Sequence, residues 1–264
     1  MTTPAPTGDA ALQGLLANIE RRGLRVTSYK EPCLRRRLAV RMRARGVHTY
    51  DAYAAVLDAD PAEIDRLLDA LTINVTKFFR NPDTYAVLRN VVLADLLAKN
   101  RPVAVWSAGC ATGEEPLSLA ILCREQGLGR VRIDATDLDP GALAVLTKAE
   151  YGKASVEEVP AELLGRYFSP GPPFTVVAAA RRLVRPIRHD LTRDPAPQGP
   201  YDLITCRNVV IYFDRPTQER LFQRFHDALV PGGWLLLGKV ETLFGPARQA
   251  FQVVDARERL FRRP

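Results

Sequence analysis

Val103-Ala104-Val105-Trp106-Ser107-Ala108-Gly109-Cys110-Ala111-Thr112-Gly113-Glu114-Glu115-Pro116 carries an apolar run into small, glycine-containing residues and then into two acids. A buried strand delivers its chain in this way to a loop that a ligand can approach. Gly109 and Gly113 can take backbone angles closed to other residues, and they leave room beside the main chain for a ribose or amino-acid group. No Lys-Ser or Lys-Thr follows the glycine, and Glu114 and Glu115 would repel a pyrophosphate, so this is not a phosphate-gripping loop. A cationic or hydroxyl-rich ligand fits better. Taken alone, the pattern also describes an ordinary strand-to-helix connection.

A second stretch strengthens the ligand reading. Val131-Arg132-Ile133-Asp134-Ala135-Thr136-Asp137-Leu138-Asp139 follows a helix-compatible segment, residues 117–125, and again ends in acids. In a doubly wound sheet an acid at the tip of the second strand accepts hydrogen bonds from ribose hydroxyls, and Asp137 is the candidate. Asp139, directly before Pro140, reads as the N-cap of a helix over 141–149. S-adenosylmethionine, with its sulfonium, ammonium and ribose diol, meets the requirements of such a site.

The chain of 264 residues is 47% hydrophobic, enough for one large domain or two modest ones that fold without disulfides. Four cysteines (33, 110, 123, 206) contain no Cys-x-x-Cys pair and there are three histidines, so no metal site is expected and the thiols are read as free. The first eight residues lack a basic and an apolar signal region, and no apolar run approaches the ~18 residues needed to span a bilayer, so a cytoplasmic protein is expected. The net charge of +7 is concentrated between Lys30 and Arg45, where seven basic residues face one acid, Glu31. An anionic partner for this segment is one reading; a solvated helix face is the other.

Apolar spacing predicts helices over 10–22, 29–45, 51–57 and 61–71, a small all-α domain that presents arginines outward. Residues 71–82 read as a connection between domains and part of the site, and 83–97 as a helix leading into the sheet. From Pro102 strand and helix patterns alternate, predicting an open α/β sheet whose last stretches, 251–254 and 259–261, form an antiparallel end. Between 151 and 191 the rhythm fails. Phe174-Thr175-Val176-Val177 and Arg182-Leu183-Val184-Arg185 read as an inserted antiparallel hairpin. Tyr201 to Phe213 reads as a fourth strand running into a ligand-bearing loop, with Asn208 and Tyr212 at or past its tip; a turn asparagine and a half-buried aromatic are the plain alternatives. His189-Asp190-Leu191 closes the preceding segment, where such folds meet the adenine ring.

Asn74-Val75-Thr76-Lys77-Phe78-Phe79-Arg80, the stretch Trp106 to Pro116, and Cys206-Arg207-Asn208-Val209-Val210-Ile211-Tyr212-Phe213 occur in this order and together resemble the chemotaxis receptor methyltransferases of CheR type. The likeness covers nearly the whole chain. It implies a Rossmann-like S-adenosylmethionine-dependent methyltransferase domain over 79–264, with an inserted β-subdomain at about 165–188, behind an all-α receptor-recognition domain with linker over 1–78. It implies methylation of glutamate side chains on the cytoplasmic helices of chemoreceptors. By motif, Asn74, Thr76, Arg80, Glu115, Asp137, Asp190, Leu191, Arg207 and Asn208 would surround the cofactor, joining Gly109. Arg80 and Tyr212 would lie nearest the transferred methyl, and Arg36, Arg37, Arg41 and Arg43 would meet the acidic receptor helices. Some members also bind a peptide tethered at the receptor C-terminus through the hairpin. The loop here, Ser169-Pro170-Gly171-Pro172-Pro173, is proline-rich rather than glycine-rich, which counts against that tether.

Two other readings compete. The basic helix suits a nucleic-acid methyltransferase, but no Asn-Pro-Pro-Tyr-like motif follows the fourth strand, and no nucleic-acid or membrane partner is expected. A cofactor-binding adaptor without turnover is the third reading, against which the intact Arg80 and Tyr212 argue. Nothing in the sequence demands more than a monomer.

Overall fold

The structure, a computed structural model, describes residues 8–72 and 74–264. Residues 1–7, and Ile73 within the expected linker, lie outside the described residues. The chain divides into two compact units: Met1–Ile73 with Tyr212–Asp214, and Asn74–Ile211 with Arg215–Pro264. The boundary expected after residue 78 therefore falls after residue 73. The physical cause lies in the second unit, where Asn74 Nδ2 donates to Asp139 Oδ2 (2.6 Å) and the Phe78 amide donates to Ser155 O (2.9 Å).

The first unit contains α1 (Gly8–Arg21), α2 (Glu31–Ala44), α3 (Tyr50–Ala59) and α4 (Glu63–Leu71). Leu12, Leu15, Leu16 and Ile19 of α1 and Leu34, Leu38 and Met42 of α2 are buried at the spacing of one helix face. Thr49 caps α3 by accepting from the Ala52 amide (3.2 Å), and Gly46, at φ 68°, turns the chain after α2. Glu63 is completely buried in this apolar setting. Arg41 closes both arms of its fork on it at 2.9 Å, and Tyr53 Oη donates to it at 2.9 Å. Burial opposes the charge of Glu63, but these donors hold its carboxyl below the usual carboxylate range. Residues 212–214 join this unit through the Lys30 amide on Tyr212 O (2.8 Å) and the edge-on rings of Tyr29 and Phe213.

The second unit begins with a helical run over 82–98: α5 (Pro82–Val87), a π-helical turn (Leu88–Leu93) and α6 (Ala94–Ala98). There follow β1 (Val103–Ala108), α7 (Glu114–Glu125), β2 (Val131–Asp137), α8 (Pro140–Lys148), β3 (Glu150–Tyr151), α9 (Ala161–Tyr167), β4 (Phe174–Thr175), α10 (Ala178–Arg181) and β5 (Val184–Arg188). The remainder is β6 (Tyr201–Cys206), α11 (Arg215–Ala228), β7 (Leu229–Leu237), α12 (Pro246–Ala250), β8 (Gln252–Asp255) and β9 (Leu260–Arg262). The sheet order is β5-β2-β1-β6-β7-β9-β8, parallel from β5 to β7, with β9 antiparallel to both β7 and β8. Strand order reverses between β1 and β6, with earlier strands added to one side of β1 and later ones to the other, and the crevice beyond their carboxyl ends is where such folds bind ligands. Trp106, fully buried, fixes the centre: its Nε1 donates to Thr136 Oγ1 (2.9 Å) and its ring meets His189 and Phe225 edge-on.

The expected hairpin of 174–177 with 182–185 does not form. Residues 178–181, read as its link, coil into α10, and the second run emerges as β5, paired in parallel with β2 from Ile133↔Val184 to Asp137↔Arg188. Pro186 is compatible with β5 because that strand lies at the sheet edge. The small antiparallel sheet exists, but β4 pairs with β3, Tyr151↔Phe174. The expected insert at 165–188 therefore gives its last five residues to the main sheet.

Candidate active site

The loop after β1 is pinned to β2 by main-chain bonds. The amides of Gly109 and Cys110 both donate to Thr136 O (2.8 and 2.9 Å), and that of Ala111 donates to Asp137 Oδ2 (2.8 Å). Asp137 Oδ1 accepts from the Asp139 amide (3.0 Å). Each carboxylate oxygen keeps a further lone pair, so a diol can still be accepted. Burial, reinforced by the Asp139 charge, pushes the Asp137 carboxyl up, against the pull of the backbone amides. Asp139 caps α8 as expected, accepting from the amides of Gly141 and Ala142, and its other oxygen takes the Asn74 amide group. Asn74 is thereby joined, through Asp139, to Asp137 at the tip of β2.

At φ 78° and 96°, Gly109 and Gly113 do take left-handed backbone, but the space beside them belongs to the protein. A Cβ on Gly109 would stand 2.5 Å from Val209 Cγ2, and one on Gly113 would stand 2.3 Å from Leu146 Cδ1. Their missing side chains admit neighbouring elements.

The two acids of the loop separate. Glu115 Oε1 accepts from Ser107 Oγ (2.8 Å) and Thr205 Oγ1 (2.6 Å), bridging β1 and β6 at the reversal point, and its Oε2 lies 3.4 Å from Arg207 Nη1. Glu114, expected to favour the helix N-terminus, does more: it is buried, and accepts from Thr112 Oγ1 (2.6 Å) and Ser155 Oγ (3.0 Å). Burial raises its carboxyl. Tyr151 Oη adds a bond to Thr112 O (2.8 Å), so β3 and the turn after it brace the loop from outside the main sheet. Glu115→Gln is expected to weaken binding of S-adenosylhomocysteine by about tenfold, as loss of one charged partner does, and Glu114→Gln by less. Titration calorimetry on both variants checks the order; the reverse order would undo the assignment.

Arg80 Nη1 donates to Val75 O (3.0 Å), closing the motif 74–80 on itself. Phe79 and Asn81 on either side adopt left-handed φ of 53° and 68°. Thr76 is half-buried in the same segment. Across the sheet, the His189 amide donates to Asp137 O (2.9 Å), which brings Asp190 and Leu191 alongside β2. Asp190 Oδ1 is engaged by the amide and hydroxyl of Thr192, and Leu191 O accepts from Arg224. Arg207 is buried after β6. Asn208, at φ 60°, and Val209 donate their amides to Glu241 (3.0 and 2.9 Å), which also accepts from the Gly238 amide (2.6 Å). Glu241 was not among the expected residues, although the pattern of an apolar strand, a glycine and an acid at Leu237-Gly238-Lys239-Val240-Glu241 repeats the signal of 108–115. Burial lifts its carboxyl while the amides pull it down.

Of the residues expected elsewhere, Tyr212 belongs to the first unit. So do the four arginines of α2, and these do not act alike. Arg36 and Arg43 are exposed and Arg37 is half-exposed, and they form no ion pair among the described residues. Arg41 is removed from the partner-facing set because its fork is committed to Glu63. Among the described residues no group of three or more His, Cys, Asp and Glu is placed to hold a metal, and no helix is long and apolar enough to cross a membrane.

Residues 74–260 match the CheR methyltransferase S-adenosylmethionine-binding domain, and residues 14–72 match the CheR all-alpha domain. The chain belongs to the CheR methyltransferase family. A chemotaxis protein methyltransferase of Listeria innocua serovar 6a is 36% identical over 228 residues, covering 85% of this chain and 87% of that protein. One from Klebsiella aerogenes is 35% identical over 259 residues, covering 91% and 86%. A probable biofilm formation methyltransferase of Pseudomonas putida is 33% identical over 235 residues, 84% of this chain and 54% of that longer protein. The family's cofactor, S-adenosylmethionine, fits the residues present: carboxylates at the tips of the central strands suit an ammonium and a diol, and nothing in the loop suits a phosphate.

Proposed function

We propose that the protein methylates glutamate side chains on the cytoplasmic helices of chemoreceptors, forming glutamyl methyl esters, and that it works in the cytoplasm as a monomer. The bound cofactor supplies an electrophilic methyl on a sulfonium. A glutamate carboxylate oxygen would bond to that carbon as the carbon–sulfur bond breaks, so that a neutral ester and a neutral thioether would result. A glutamate with an ordinary pKa of about 4.3 is already ionised at neutral pH, so no general base is required. Because two opposite charges are consumed, water exclusion and in-line positioning carry the acceleration.

The roles follow from the chemistry of the side chains. Glu115 and Asp137 would hold the ammonium and the ribose, with Asn74, Thr76, Asp190, Leu191 and Asn208 completing the surround. Arg80 would orient the incoming carboxylate through its fork of donors and Tyr212 would fix one oxygen through its hydroxyl. The observation that carries the reading is the Arg80 turn: a guanidinium that spends one donor on Val75 O, on backbone held through Arg207 beside Glu115. Arg36, Arg37 and Arg43 would meet the acids of the receptor helices by charge complementarity.

Incubation with methyl-labelled cofactor and receptor-bearing membranes, followed by mild alkali, tests the reaction. Volatile labelled methanol is the expected product, because only an ester releases it. Label that resists alkali would identify a different acceptor. Cofactor binding without any labelled receptor would favour an adaptor.

A further inference from the structure

Arg207 stands out among the residues that resemblance assigns to the cofactor, because its guanidinium is spent elsewhere. Nη2 donates to Arg80 O (2.9 Å) and to Asn81 Oδ1 (2.8 Å), Nη1 lies 3.4 Å from Glu115 Oε2, and the group sits 5.9 Å from the centre of the Tyr85 ring. Its side chain is 4% exposed, and its Nε is buried without a hydrogen-bond partner. Burying a guanidinium is costly unless each contact is well placed, so this arrangement needs a reason beyond stability.

The turn it grips supplies that reason. Phe79 and Asn81 both hold left-handed backbone, a conformation that is strained for a bulky residue such as Phe79 and persists only where the surroundings over-determine it. The Phe79 amide is taken by Ser118 Oγ (3.0 Å) and that of Asn81 by Glu158 (3.3 Å). Those partners hold the turn from α7 and from the segment after β3. Arg207 alone of these partners also reaches Glu115.

We infer that Arg207 is a positioning residue: its fork locks the strained turn that presents Arg80 and couples that turn to Glu115, so that the cofactor acid and the substrate-orienting arginine are set as one piece. The role assigned to Arg80 rests on the proposed function; the locking of the turn does not. A lysine keeps the charge but cannot span Arg80 O, Asn81 Oδ1 and Glu115 with one fixed fork.

Arg207→Lys in the full-length protein is the test, read by amide hydrogen exchange and by kinetics. Exchange at residues 78–81 should rise at least about tenfold while that of β2 is unchanged. The turnover number should fall by up to about 100-fold, with the S-adenosylhomocysteine dissociation constant shifting less than about threefold. Adding Arg207→Lys to Arg80→Ala should cost less than about twofold more, because the two act through one element. Asn81→Gly, which removes one acceptor from the opposite side without forcing a Cβ into left-handed backbone, should reproduce the exchange gain and guards against a folding defect peculiar to residue 207. Unchanged exchange at 78–81 in both variants overturns the inference, as does a loss of cofactor affinity matching the loss of turnover, which would make Arg207 a direct cofactor contact. Wild-type protein that binds cofactor but esterifies no receptor would sink the proposed function, and the exchange measurement would still decide on Arg207.

Discussion

Arg80→Ala is expected to lower the turnover number about 10²–10³-fold, the usual loss when one preorganised donor at a reacting group is removed, while cofactor affinity changes less than about tenfold. Alanine keeps the backbone that Arg207 grips through the residue 80 carbonyl, so the turn should survive and the loss should come from the guanidinium itself. The remaining contact of that side chain is local, to Val75 O, and little folding energy depends on it. Single-turnover kinetics with receptor-bearing membranes separate the two effects. Equal losses in turnover and cofactor binding would show that Arg80 serves the cofactor rather than the acceptor. Arg80→Lys should recover only part of the rate, because a single ammonium cannot present two parallel donors to a carboxylate.

Glu63→Ala is expected to destabilise the first unit by about 3 kcal/mol, the lower end for breaking a buried ion pair, since Arg45 and Arg66 nearby remain partly solvated. Removal of the carboxylate leaves the Tyr53 hydroxyl and the Arg41 fork without their acceptor. Urea denaturation with exchange monitored over 31–71 measures it; a loss below about 1 kcal/mol would reduce the cluster to a surface network. The sign of the pH dependence follows from the lowered carboxyl. Glu63 titrates lower in the folded protein than an ordinary glutamate does, so its contribution is complete above the ordinary value and is lost as pH falls through the lower folded one. Wild-type protein should therefore lose more stability on acidification than Glu63→Ala does.

Both residues show how far the sequence carried. Arg80 stood in a motif with Asn74 and Thr76, although the partners that hold its turn, Ser118, Glu158 and Arg207, lie far along the chain. Glu63 was one more acid on a short helix, and its partner Arg41 was grouped with arginines meant for a receptor. Helical spacing says which face is apolar but not that an acid will be sealed within that face by an arginine 22 residues away. Glu241 escaped for the same reason, since its partners at 208 and 209 are distant in the chain.

What the sequence determined by itself was everything governed by short-range chemistry: the apolar strands, the amphipathic helices with their caps and glycine stops, and the small-residue loop between Trp106 and Pro116 that ends in acids. Those features depend on backbone angles and spacing within a few residues. Tertiary structure alone decided which strand pairs with which, and it sent 184–188 to β2 instead of into a hairpin. It also decided that Val209 and Leu146 occupy the space beside the loop glycines, and that Arg207 reaches Arg80, 127 residues earlier in the chain. Pairing and packing are settled by competition among surfaces far apart in sequence, and a local pattern holds no record of which competitor wins.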